Sequence, residues 1–260
     1  MKIINYKKLL SDLEANIQEF NSKKPFRYIA IDDFLNEEFA EAILDAFPSV
    51  DEKWRDNRGH YTQNKWALPN VKDKIAKEYW TEAGSKEFLD YLSKLTSIPN
   101  LIFDPTLQGA GYHQTTNEGF LNVHIDFNKL ESDNTLDRRC NAIVYLNKNW
   151  VEEKGGWLEI WDMEKNKRLE NICPAFNRCV IFETNEVSWH GHPKPLKVNP
   201  NESRKSLATY FYTKGRDDIP FIDSHNTLYK NTESLPGFFK TFKNGIKHFL
   251  RKIKITNKPL

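Results

Sequence analysis

The sequence predicts an α+β chain in which helices come first and a β-sandwich or jelly roll follows. Three observations carry that expectation. Apolar residues recur at helical spacing up to residue 95. From residue 100 short β-rich runs appear, punctuated by Gly, Asn, Asp and Pro. Apolar residues make up 39% and aromatics 13% of the 260 residues, enough for the core of one large domain with small appendages.

Each element has its own signal. Residues 5–20 place Leu9, Leu10, Leu13, Ile17 and Phe20 on one stripe, an amphipathic helix. Asp12, Glu14 and Glu19 interrupt its apolar pattern, unlike the core of a signal peptide. RYIAI at 27–31 reads as a strand. Asn36 is a good N-cap, and Glu37 and Glu38 suit a first turn. The helix they open presents Phe39, Ala40, Ile43, Leu44 and Phe47 and ends before Pro48. Residues 71–95 read as helix again, interrupted around Gly84. Strands are expected at 101–107, 110–115, 120–125, 141–146, 157–161, 178–183 and 206–213. KLESDNTLDRR, with Asp133 and Asp137, reads as a polar loop. The expected division is a helical supporting region over 1–99 packed on the core, the β-core over 100–216, and an extension over 217–260.

Charge and cysteines narrow the class. Net charge is +2, yet residues 237–260 hold seven Lys or Arg and no acid, so the remainder is mildly acidic. That balance speaks against a nucleic-acid partner. Phe239, Phe242, Ile246, Phe249 and Ile253 recur at helical spacing among those bases. A basic amphipathic helix over 238–254 fits docking on the barrel or on a second subunit; peripheral contact with an anionic membrane is the other reading. Cys140, Cys173 and Cys179 are odd in number and lack a C-x-x-C, which reads as reduced thiols in a cytoplasmic protein.

The sharpest chemical signal is His124-Ile125-Asp126. In a strand, residues i and i+2 share a face, so an imidazole and a carboxylate aim at one point. A second His would complete two His and one carboxylate on one face of an octahedron, the arrangement of non-haem Fe(II) oxygenases. The open positions admit a co-substrate and O2. Downstream lies Ser188-Trp189-His190-Gly191-His192-Pro193, just beyond the apolar run Cys179–Phe182. Then comes Arg204-Lys205-Ser206, whose Arg and Ser share a strand face. A guanidinium grips a carboxylate bidentately and a hydroxyl adds a bond, which suits the distal carboxylate of 2-oxoglutarate.

H-x-D, a distal His-Gly and R-x-S in that order resemble the Fe(II)- and 2-oxoglutarate-dependent oxygenases, specifically the prolyl 4-hydroxylase-like branch. Asp32-Asp33-Phe34-Leu35, Gly109-Ala110-Gly111, Arg138-Arg139, the Ala142–Asn147 strand and Gly155-Gly156-Trp157-Leu158-Glu159 add to the likeness, which spans about 28–216. The resemblance implies a double-stranded β-helix with flanking N-terminal helices. It implies Fe(II) held by His124, Asp126 and His190, and 2-oxoglutarate held by Arg204 and Ser206. It implies hydroxylation of an unactivated C–H bond with release of succinate and CO2, O2 as oxidant and ascorbate as a stimulant. A prolyl residue of a peptide or protein is the substrate the likeness suggests; a saccharide or other small molecule is the alternative, and a non-catalytic metal- or sugar-binding jelly roll the third. Arg204 stands where animal collagen-type members carry Lys, and the stretch from His190 to Arg204 is long.

Some assignments stay open in the sequence. His-Gly order favours His190 as third ligand; the shorter spacing to Arg204 favours His192. Tyr112 and Gln114 precede the motif and read equally as co-substrate pocket or plain strand. Trp157 and Trp161 read as sharing a face, Asn141 and Tyr145 as barrel interior without a chemical task. His60, His113, His225 and His248 have no motif context and read as structural or exposed.

Overall fold

Among the described residues a single antiparallel network of thirteen strands, backed by helices, organises the chain. The computed structural model describes residues 3–56, 59–69, 71–216 and 223–230. In chain order the elements are α1 (Tyr6–Ser11), α2 (Leu13–Ser22), β1 (Tyr28–Ile31), α3 (Glu37–Asp45), β2 (Arg55–Asp56), β3 (Thr62–Leu68), α4 (Lys74–Ala83), α5 (Lys86–Thr96), β4 (Ile102–Phe103), β5 (Gly111–Ile125), β6 (Lys129–Leu130), β7 (Asp133–Tyr145), β8 (Leu158–Asp162), β9 (Lys167–Ile172), β10 (Arg178–Glu183), β11 (His190–His192), β12 (Arg204–Lys214) and β13 (Leu228–Tyr229). The basic helix read over 238–254 lies outside the described residues.

The helices form where caps and apolar stripes agree. Asp73 accepts from the Ala76 amide at 2.8 Å to open α4, and Ser85 from the Phe88 amide at 3.2 Å to open α5. Gly84 separates them, because a Cβ there would come within 2.5 Å of the Phe103 ring. The helix expected over 5–20 is instead two: Asn5 caps α1 through the Lys8 amide, and the chain turns at Asp12 before α2. Leu10, placed on the stripe in sequence, is 52% exposed as a result.

The strands run in the order β1-β10-β7-β12-β5-β11-β8-β9. Alternation divides their side chains into two apolar layers. Tyr112, Ala142, Val144, Cys179, Ile181 and Leu207 pack outward against the helices. Tyr145, Leu158, Ile160, Val180 and Phe182 pack inward between the walls of the jelly roll. The fold is therefore the α+β double-stranded β-helix.

Several strands differ from the sequence reading. The runs 110–115 and 120–125 belong to one strand, β5, whose pairing with β3 jumps from Gln63↔Phe120 to Lys65↔Thr115. Residues 116–119 are looped out at that jump, with Glu118 at φ +61°. Gly119 is required there: a Cβ would lie 2.5 Å from Thr115 and 2.9 Å from the Asn64 carbonyl. The polar stretch 129–139 is a hairpin of β6 and β7, closed by Lys129–Asp137 at 2.9 Å. The run 101–107 yields strand only at Ile102–Phe103. Three strands from the supporting region, β1, β2 and β3, enter the same sheet as the core.

Candidate metal centre and active-site cavity

Between the walls lies a cavity of about 380 Å3, and its strand residues come from β3, β5, β7, β8, β11, β12 and β13. His124 sits near the end of β5 and Asp126 one residue past it. β11 pairs antiparallel with β5 so that His190 lies opposite His124. The two imidazole centroids are 4.4 Å apart. His124 Nε2 stands 3.5 Å from Asp126 Oδ1 and His190 Nε2 3.6 Å from Asp126 Oδ2. All three donor atoms lie within 4.8 Å of one another.

The surroundings prepare each of the three as a metal ligand. Nδ1 of His124 is 2.8 Å from the Asn122 carbonyl, and Nδ1 of His190 is 2.8 Å from that of Ser188. A carbonyl can only accept, so each Nδ1–H donates and each Nε2 lone pair is left facing the centre. Burial, and then the neighbouring His124, bring His190 down to about 4, which keeps its ring neutral. Burial alone would raise the Asp126 carboxyl, but Arg138, His190 and His124 outweigh it and hold the group well below the usual carboxylate range. Arg138 lies 3.1 Å from Asp126 Oδ2, and Asn141 Nδ2 donates to the same oxygen at 2.8 Å. Arg138 in turn donates to Asn141 Oδ1 at 2.9 Å and is stacked 3.4 Å from the Tyr210 ring centroid. Two imidazoles that turn Nε2 inward and an ionised carboxylate on one side of a cavity fit a ferrous ion.

Arg204 and Ser206 open β12 on the same inner face, at the other end of the cavity. Arg204 donates from Nε to the Gly156 carbonyl at 2.6 Å and from Nη2 to the Tyr145 hydroxyl at 3.2 Å. It forms no ion pair among the described residues. Gly156 sits at φ +70°, and a Cβ there would meet the Arg204 side chain at 3.0 Å, so the glycine gives the guanidinium its path. Buried Arg204 with a spare edge, a hydroxyl from Ser206 and one from Tyr145 fit a carboxylate.

Two expected pocket residues face the wrong way. Tyr112 turns outward, donates to Asp73 at 3.2 Å and packs on Phe47 and Trp80. Gln114 shares its strand parity, beside Trp66, and is absent from the cavity wall. A one-residue choice of parity exchanges the two faces of a strand. The inward residue is His113, whose Nε2–H donates to the Gly109 carbonyl at 3.0 Å.

Other residues fall into place around this centre. His192 also lines the cavity but stands apart from the trio, and neither ring nitrogen has a hydrogen-bond partner. Asn141 and Tyr145, read as interior residues without a task, touch Asp126 and Arg204. Lys65 on β3 reaches the cavity, a residue the sequence reading passed over. Tyr229 lines the mouth: its backbone pairs with His124 and its ring stacks on Tyr61 at 4.7 Å. Trp161 donates to Glu159, whereas Trp157 borders a separate small cavity, so the two do not act together. Asp133 and Asp137 stay out of the cavity wall, His225 pairs with Glu186 at 3.0 Å, His60 is exposed, and His248 lies outside the described residues.

Comparison with known proteins is consistent with this geometry. Residues 108–212 match the profile of the 2OG-Fe(II) oxygenase superfamily. Prolyl 3-hydroxylase OGFOD1 of Mus musculus is 23% identical over 193 residues, covering 72% of this chain and 33% of the relative. The chain thus spans about a third of the length of that curated relative. A prolyl hydroxylase from Trichoplax adhaerens, solved with a peptide fragment of the oxygen degradation domain of hypoxia inducible factor, superposes with TM-score 0.55 at 16% identity, covering 80% of this chain and 93% of the other. A Pseudomonas putida prolyl-4-hydroxylase superposes with TM-score 0.52 at 14% identity, covering 76% and 98%.

Proposed function

We propose that the jelly-roll core of this chain, matched over 108–212 by the 2OG-Fe(II) oxygenase profile, is that of such an oxygenase and hydroxylates a prolyl residue of a peptide or protein. The observation that carries the reading is the His124–Asp126–His190 cluster sharing one cavity with Arg204, which has no ion pair among the described residues. A jelly roll that only bound a metal or a sugar would have no use for the second feature. The named relatives, all prolyl hydroxylases, support the choice of a prolyl substrate.

The division of labour follows from the groups present. His124, Asp126 and His190 would hold Fe(II), and Arg204, Ser206 and Tyr145 would hold the distal carboxylate of 2-oxoglutarate. When bound, these cofactors with O2 supply the oxidising chemistry for C–H hydroxylation, with succinate and CO2 as by-products. The chain's own part is placement and exclusion of water. Arg138 and Asn141 fix the Asp126 carboxylate in one orientation. The carbonyls of Asn122 and Ser188 fix both imidazole tautomers. Ile143 and Leu158 supply apolar wall, and Tyr229 flanks the opening where substrate would enter.

The test is a panel of proline-containing peptides incubated with the chain, Fe(II), 2-oxoglutarate and ascorbate. Mass spectrometry should find one added oxygen on a prolyl residue with equimolar succinate. Oxygen added only to saccharides or other small molecules would replace the prolyl assignment. No succinate and no 2-oxoglutarate binding would remove the enzyme reading altogether.

A further inference from the structure

We propose that Lys65 is a second cationic anchor for the distal carboxylate of the co-substrate, facing Arg204 across β5. This inference rests on the oxygenase reading above and adds to it a source of selectivity for dicarboxylic over monocarboxylic 2-oxo acids. Among the described residues the cavity wall holds three basic side chains, Lys65, Arg138 and Arg204, and a single carboxylate, Asp126. Arg138 is matched by Asp126 at 3.1 Å. Lys65 and Arg204 have no anionic partner at hydrogen-bonding distance among the described residues.

Register brings these two together. Lys65 on β3 and Arg204 on β12 both pair with Thr115 of β5, one from each side. Strands lie about 4.8 Å apart, so the two backbones are separated by roughly 10 Å with both side chains on the inner face. That gap accommodates one carboxylate between an ammonium and a guanidinium. The row lies nine positions before His124 along β5, away from the metal end. Burial and then Arg204 lower the Lys65 ammonium from its ordinary value, and His113, lowered first by burial, also feels both cations. His192 adds a buried ring with no partner on either nitrogen, a further sign that this end awaits a ligand. A half-buried ammonium beside a buried guanidinium is unfavourable unless an anion joins them.

Calorimetric titration of the Mn(II)-loaded chain tests the assignment without turnover. The probes are 2-oxoglutarate and 2-oxobutyrate, which lacks the distal carboxylate; the variants are Lys65→Met, Lys65→Arg and Arg204→Met. Lys65→Met should weaken 2-oxoglutarate at least tenfold and leave 2-oxobutyrate unchanged, and Lys65→Arg should recover most of the loss. Undiminished 2-oxoglutarate binding by a folded Lys65→Met, beside a loss in Arg204→Met, would overturn the proposal. Equal weakening of both acids would overturn it too, since that marks a structural role. Wild-type chain that takes Mn(II) but binds no 2-oxoglutarate would defeat the oxygenase reading itself.

Discussion

The two ends of the cavity are built on opposite terms. At the metal end the groups that orient the three ligands are in place: Arg138 and Asn141 on Asp126, and a backbone carbonyl on each imidazole Nδ1. At the far end Arg204, Lys65 and His192 line the wall with no carboxylate paired to them among the described residues. The first end is arranged before its ligand arrives, the second needs its ligand to be electrically complete. The contrast teaches that removing a group should harm folding at one end and ligand binding at the other.

The largest break comes from Asp126→Ala. It strands Arg138 as a buried charge and should cost about 3–5 kcal/mol in chemical denaturation, besides abolishing Fe(II) binding. Arg204→Met should do the reverse: 2-oxoglutarate affinity of the Mn(II)-loaded chain falls roughly 100-fold, by about 3 kcal/mol, while the ligand-free melting temperature holds or rises. A drop in melting temperature as large as that of Asp126→Ala would erase the distinction between the ends. Asn141→Ala should weaken metal binding about tenfold, read by competition with a chelator, because the carboxylate loses a hydrogen bond that orients it.

Smaller effects sharpen the picture. Tyr112→Phe deletes only the bond to Asp73, so stability should fall by about 1 kcal/mol with 2-oxoglutarate affinity unchanged. A change in affinity would return Tyr112 to the pocket. Burial, and then Arg204, bring the Lys65 ammonium down to about 8 from the ordinary 10.5. The unfolded chain then binds more protons than the folded one between those values, so ligand-free stability should gain from this group as pH rises through that window. Lys65→Met should lack this increment, which paired denaturation curves at pH 8 and pH 10 would reveal.

The H-x-D pair and the R-x-S pair were legible because strand alternation turns two letters into one geometry. The helices over 37–47 and 71–95 were legible because apolar residues recur there at helical spacing. Tyr112 and Gln114 were misplaced because GAGYHQTT shows no apolar alternation, so parity could not be read and His113 was missed. Lys65 escaped because TQNKWAL lacks a clear periodicity; only its pairing with β5 makes it a strand. Asn141 and Tyr145 sit in a run that reads as plain apolar strand. Their partners, Asp126 and Arg204, lie 15 and 59 residues away, beyond any local pattern.

The continuity of β5 has a consequence for what the cavity will accept. One unbroken strand carries His124 near its end and Thr115, midway between Lys65 and Arg204, near its start. The looping out of 116–119 draws those points closer than nine extended residues would. On the proposed binding mode the strand acts as a gauge, setting the gap between the chelated and clamped ends of a diacid. An acid one methylene shorter or longer than 2-oxoglutarate should then satisfy either end but not both, and bind the Mn(II)-loaded chain more weakly.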